Sequence, residues 1–144
     1  MSDRSYPARP ILAVSTAVIR DRRVLLAQRA KPPGAGLYSL PGGLVEIGET
    51  VAEAAARELM EEVSVTAQPL GLCGARDIII PDDEGRIARH FVVLCYAARW
   101  IAGEGTISPE AADIRWMRQQ DVPDLPVTEG LIDIVAAAFR LASA

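Results

Sequence analysis

The sequence predicts an α/β fold in which a mixed β-sheet lies between helices, an α/β/α sandwich formed by a single domain over residues 1–144. Three observations predict it. Short runs rich in β-branched and aliphatic residues both precede and follow a window of helical period, a second helical window closes the chain, and Pro, Gly and Asp punctuate the gaps.

Taken in order, residues 1–9 and Pro10 form a loose lead-in. Ile11 to Ile19 and Val24 to Gln28 are two aliphatic runs separated by Arg20-Asp21-Arg22-Arg23, the pattern of a hairpin. A Pro/Gly-rich loop, Lys31 to Gly36, leads to Leu37-Tyr38-Ser39-Leu40 and the breaker Pro41-Gly42-Gly43. From Thr50 the period changes. Ala52, Ala56, Leu59 and Val63 fall on one stripe of a helix, and Thr50 with Glu53 has the spacing of a capping box. Two apolar segments follow, Val65 to Leu72 and Arg76 to Ile80, then a turn at Pro81-Asp82-Asp83-Glu84-Gly85 and a strand from His90 to Ala98. The loop Gly103-Glu104-Gly105 leads to a short strand around Ile114 to Met117. Leu131, Ile134, Val135, Ala138 and Phe139 then repeat at helical spacing behind Thr128.

Composition narrows the function. Half of the residues are hydrophobic, so a chain of 144 residues can hold a sizeable core, and the net charge is −4. An acidic chain has no general attraction for a phosphate backbone or an anionic surface, so neither nucleic acid nor a membrane is the expected partner. No apolar run reaches the ~18 residues of a membrane span, and the stretch after Arg9 lacks a cleavage site. Cys73 and Cys95 are expected to be reduced thiols, which favours a cytoplasmic address. With His90 as the one histidine, and best read as a strand residue, no zinc spacing is present.

The charge is uneven. Residues 43–65 hold six carboxylates (Glu46, Glu49, Glu53, Glu58, Glu61, Glu62) and one base, Arg57, a local charge of −5 against +1 for the rest. Glu58, Glu61 and Glu62 span about 100° of helix arc, on a face the pattern places away from the alanine/leucine stripe. Like charges so placed repel, and they crowd the helix C-terminus, where the dipole disfavours anions. A divalent cation among them would resolve the conflict, and all-carboxylate ligation points to Mg²⁺ or Mn²⁺. The alternative is a solvated glutamate-rich face.

The chain reads Gly43, five residues, Glu49, seven residues, then Arg57-Glu58-Leu59-Met60-Glu61-Glu62-Val63-Ser64-Val65. Residues 43–65 resemble the Nudix box, departing from it only at Ser64, where that family has glycine. Agreement at six fixed positions arises by chance on the order of once in ten million windows, which argues against a merely solvated face. The preceding Gly36-Leu37-Tyr38-Ser39-Leu40-Pro41-Gly42-Gly43 is similar to the family's lead-in, with Tyr38 where tryptophan is frequent. A glycine at position 64 would suit a left-handed cap, a conformation that costs serine up to about 1 kcal/mol.

The resemblance implies a Nudix-type sandwich and an enzyme that hydrolyses the pyrophosphate of a nucleoside diphosphate linked to another moiety. It implies Mg²⁺ (or Mn²⁺) held by Glu58 and Glu62, with Glu61 completing the shell and the Gly43 carbonyl as a further ligand. Arg57 is expected to orient glutamates, with Glu49 as a partner and with Glu53 and Glu61 at ion-pair spacing. The general base is left between a box glutamate, here Glu61, and a later acid, for which Glu110 and Asp113 are the candidates. Arg29, Tyr38, Arg76 and Arg89, with Arg86 beside them, are candidate substrate contacts. Pro81 stands sixteen residues past the box, a spacing the family associates with ADP-ribose pyrophosphatases, although a proline suits the turn there in any case. ADP-ribose or an ADP-sugar is therefore the expected small-molecule substrate. The alternatives are a nucleoside triphosphate such as oxidised dGTP, and a non-catalytic ligand sensor, which would typically have lost box glutamates. Related ADP-ribose hydrolases are often homodimers that share substrate sites.

Overall fold

In the computed structural model, which describes residues 4–143, the strands are β1 (Ile11–Arg20), β2 (Arg23–Arg29), β3 (Tyr38–Ser39), β4 (Gly42–Leu44), β5 (Thr66–Pro81), β6 (Ile87–Ala102) and β7 (Ala111–Arg118). The helices are α1 (Val51–Val63) and α2 (Leu131–Ser143), with a short 3-10 helix at Gln119–Asp124. Residues 1–3 of the expected lead-in lie outside the described part.

All seven strands belong to one sheet of order β3-β2-β1-β6-β5, with β4 beside β1 and β7 beside β2. Only β1 and β6 run parallel, from Ile11 opposite Phe91 to Ile19 opposite Arg99; the other pairings are antiparallel, so the sheet is mixed. Asp21 and Arg22 both adopt positive φ (48° and 63°), which gives a two-residue turn the twist its strands require. The hairpin closes at Ile19–Val24 and Arg20–Arg23, and beyond that the strands part company. The first half of β1 pairs with β4 instead, and β2 pairs with β7 and β3. This divergence gives β4, where the box begins, its place beside β1.

Four successive residues of β2, Val24 to Ala27, are buried because the sheet is covered on both sides. Val24 and Leu26 pack with Leu131, Val135 and Ala138 of α2. Leu25 and Ala27, pointing the other way, pack with Leu59 and Val63 of α1. The two apolar segments expected at 65–72 and 76–80 prove to be one strand, β5, which accommodates register shifts at Thr66/Ala67, Pro69/Gly71 and Leu72/Gly74 and so passes its proline and glycines without ending. His90 is a strand residue of β6, opposite Ile79. Both cysteines are free thiols. No helix among the described residues is long and apolar enough to cross a membrane.

The inward face of α1 requires a correction. Its buried residues are Ala54, Ala55, Leu59 and Val63, whereas Ala56 is exposed. The helix is rotated so that Glu58 and Glu62 flank its buried face, and only Glu61 points outward. Attachment of both glutamates to neighbouring groups, described next, accounts for the rotation.

Candidate active site

Thr50 starts α1 by accepting from the Glu53 N–H (3.1 Å), while the Glu53 carboxylate accepts from the Thr50 N–H (2.9 Å), the expected capping box. Glu53 is thus occupied at the cap and takes no part in the Arg57 network. Ser64 ends the helix in the left-handed region (φ 58°, ψ 42°), its N–H reaching Met60 O at 3.0 Å. The serine therefore adopts the left-handed conformation that favours glycine.

Arg57 is the hub. Its Nε and Nη2 donate to the two oxygens of Glu49 at 2.6 and 2.9 Å, a bidentate pair. Nη1 donates to Glu58 Oε1 at 2.7 Å and to Glu61 Oε2 at 3.2 Å, and Nη2 also reaches Leu44 O at 2.9 Å. The guanidinium thus ties α1 to β4 and to the loop between them. Its bonds, helped by the Glu46 N–H at 3.0 Å, hold the Glu49 carboxyl down at about 2. The bond to Leu44 O is a contact the sequence did not reveal, since a backbone acceptor carries no residue signature.

Glu62 lies deepest. Its Oε2 accepts from the Gly42 N–H at 2.8 Å. Burial pushes its carboxyl up to about 7, opposed by that hydrogen bond and by Arg29, and reinforced by the charges of Glu58 and Glu110. One turn earlier, Glu58 fits against Gly43 so closely that a β-carbon there would overlap its carboxyl group. Gly43 thus lets the β4 backbone meet the Glu58 carboxylate, while a β-carbon at Gly42 would strike Val14 O and Ser15 of β1, so glycine there keeps β4 close enough to β1 to present its N–H to Glu62.

These donors suit a hard divalent cation. Among the described residues no three acidic, Cys or His side chains already form a cage. A Mg²⁺ ion, however, is typically held by one or two carboxylates, with water and substrate phosphate supplying the rest. Glu58 and Glu62, beside the Gly43 backbone, offer that partial set, while Glu61 is turned outward to Arg57.

The remaining candidates divide by location. Arg29 ends β2 with its Nε donating to Pro33 O at 2.6 Å, and Glu110 precedes β7; both act electrostatically on Glu62. Tyr38 is buried, with its hydroxyl bonded to Asp113, and Asp113 also accepts from Arg115. This places Asp113 in a pairing network of its own, while Glu110 keeps electrostatic contact with the box. Arg76 reaches Thr128 Oγ1 at 3.5 Å, and that hydroxyl donates to Ser39 Oγ. Arg89 sits opposite Ile80 near the end of the β5–β6 hairpin, and Arg86 packs on Tyr6.

The family model described as NUDIX domain matches residues 9–138. An ADP-ribose pyrophosphatase of Methanocaldococcus jannaschii is 31% identical over 116 residues, covering 81% of this chain and 66% of its own length. An NAD-capped RNA hydrolase, NudC, of Escherichia coli is 32% identical, covering 96% of this chain and 52% of its own length. The chain thus spans between about half and two thirds of the curated relatives it matches. Among solved structures, a MutT NUDIX hydrolase from Burkholderia pseudomallei superposes with a TM-score of 0.74 at 30% identity, over 90% of this chain and 98% of that one. With the box glutamates gathered round Arg57 and the match running through nearly the whole sheet, this chain belongs to the Nudix hydrolase family.

Proposed function

We propose that the chain hydrolyses the pyrophosphate of a nucleoside diphosphate linked to another moiety, with ADP-ribose or an ADP-sugar as substrate and Mg²⁺ (or Mn²⁺) as cofactor. The observation that carries this reading is the placement of Glu58 and Glu62 against the Gly42-Gly43 backbone under the control of Arg57. Glu58, Glu62 and the Gly43 carbonyl would hold the ion, with Glu61 able to join from the rim. When bound, it would neutralise phosphate charge and polarise the reacting phosphorus. Arg57 holds Glu58 in place, and Arg29 offers the polyanion a cationic contact at the mouth.

Glu110 is the preferred base, because it stands near Glu62 on a separate loop and its carboxylate is free of metal duty. In the reaction this carboxylate takes one proton from the attacking water. The oxygen then bonds to phosphorus as the bridging oxygen departs on the other phosphate with the bond's electron pair. The NAD-capped RNA relative favours a second reading of the leaving group, since such a cap also presents a pyrophosphate next to a nucleoside. The net charge of −4 weighs against a long RNA chain as the preferred substrate. The reduced thiols fit a cytoplasmic address, and a homodimer sharing its sites stays part of the proposal.

The test is turnover. With Mg²⁺, purified protein is expected to convert ADP-ribose to AMP and ribose 5-phosphate, and Glu62→Gln to lower the rate by orders of magnitude. Full activity in that variant would sink the ligand assignment. Binding of ADP-ribose without cleavage of any compound in a nucleotide panel would make the chain a sensor.

A further inference from the structure

Lys31 is the only lysine in the chain, and its Nζ donates to Glu110 Oε1 at 3.0 Å. The backbones beneath this pair are already fixed. The Ala30 N–H bonds to Glu110 O at 3.1 Å, the Ala111 N–H to Ser108 O at 3.1 Å, and the Glu110 N–H to Ser108 Oγ at 3.3 Å. On the other loop, the Arg29 N–H donates to Leu37 O and the Gly36 N–H to Arg29 O, both at 2.8 Å, and the Arg29 guanidinium holds Pro33 O. Removing the ion pair would leave both loops in place. Its two side chains are 60% and 58% exposed, so water screens them and the pair is weakly held.

The pair also sits where substrate charge must arrive. The end of β2 runs beside β3, with Ala27 opposite Ser39, and Gly42, three residues further on, holds the half-buried Glu62, on which Glu110 and Arg29 also act; the ammonium of Lys31 thus stands at the rim of the same carboxylate cluster. A compact ammonium is an effective partner for a diphosphate, which carries two negative charges against the single one of the Glu110 carboxylate.

We propose that Lys31 exchanges partners during the cycle: it holds Glu110 in the free protein, then takes a phosphate oxygen of the incoming diphosphate and releases Glu110 to the attacking water. The proposal rests on the pyrophosphate reading and on Glu110 as base. It makes Lys31 a substrate-binding and positioning residue that frees the base only when phosphate is present.

A single lysine allows a direct test. Reductive methylation with ¹³C-formaldehyde keeps the positive charge and labels Lys31 as the one side-chain amine, resolvable from the α-amine by its pKa. Addition of Mg²⁺ and the non-hydrolysable α,β-methylene ADP is expected to move the Lys31 methyl signal, and Glu110→Gln is expected to move it in the free protein without any nucleotide. In steady-state assays Lys31→Ala should raise KM for ADP-ribose about ten-fold with kcat within a factor of about two, the pattern of lost ground-state binding, and Lys31→Arg should recover most of KM. A Lys31 signal that stays put while the nucleotide saturates the protein, or an unchanged KM in Lys31→Ala, overturns the exchange itself. Full kcat in Glu110→Gln overturns the proposal differently, by removing the base role on which it rests.

Discussion

Glu62 shows how one residue can be costly for the fold and still be held in place at the candidate site. Burial raises its carboxyl to about 7 from an ordinary 4.5, so the folded, metal-free protein keeps this proton up to about pH 7. The stability this protonation contributes is complete below about 4.5 and is lost as pH rises through about 7. In chelator, urea midpoints of the wild type are expected to fall across that interval relative to Glu62→Gln, and Mg²⁺ should narrow the difference. Ser64 presents the opposite case, a departure from the family pattern that bears on the helix cap. Held at φ 58°, it is expected to become more stable as Ser64→Gly by up to about 1 kcal/mol, read as a higher urea midpoint with unchanged kcat. The left-handed cap at position 64 was legible in the sequence. The depth of Glu62 was not, because the alanine stripe suggested a helix rotated the other way.

At the scale of the element, α1 forms for local reasons and is oriented for distant ones. Its start is written in four residues, Thr50 to Glu53, and Thr50→Ala is expected to cost about 1 kcal/mol by thermal or urea unfolding. Its orientation comes from β4: the Gly42 N–H draws in Glu62, and Leu44 O draws in Arg57. These contacts are between backbone and side chain across 20 and 13 residues, which helical periodicity cannot encode. The same limit explains β5. Pattern reading divided it at its glycines, whereas continuous pairing with β6 carries the strand across them. Hairpin β1–β2 and helix α2, whose signals are local, were recovered from the sequence.

For the whole molecule, the box is a contiguous window and was readable, but the pair proposed to act beside it is not contiguous. Lys31 and Glu110 are 79 residues apart and meet because β2 and β7 are neighbours in the sheet. A ligand that binds at this junction couples to global stability. ADP-ribose with Mg²⁺ at about 100 times its Kd should add about 2.7 kcal/mol, or roughly 5–10 °C in Tm for a domain of this size, in a scan of Glu110→Gln to suppress turnover. A different consequence follows from the far end of β1, where the Arg20 guanidinium lies 3.8 Å above Trp100 and 5.4 Å from Trp116. The indole N–H groups donate to Gly103 O and Glu104 O, and both rings pack on the cluster of Leu59 and Val63. These are the only two tryptophans in the chain. All of its indole fluorescence therefore originates at one seam between α1 and the sheet, giving the protein a built-in optical gauge of whether that helix is still docked.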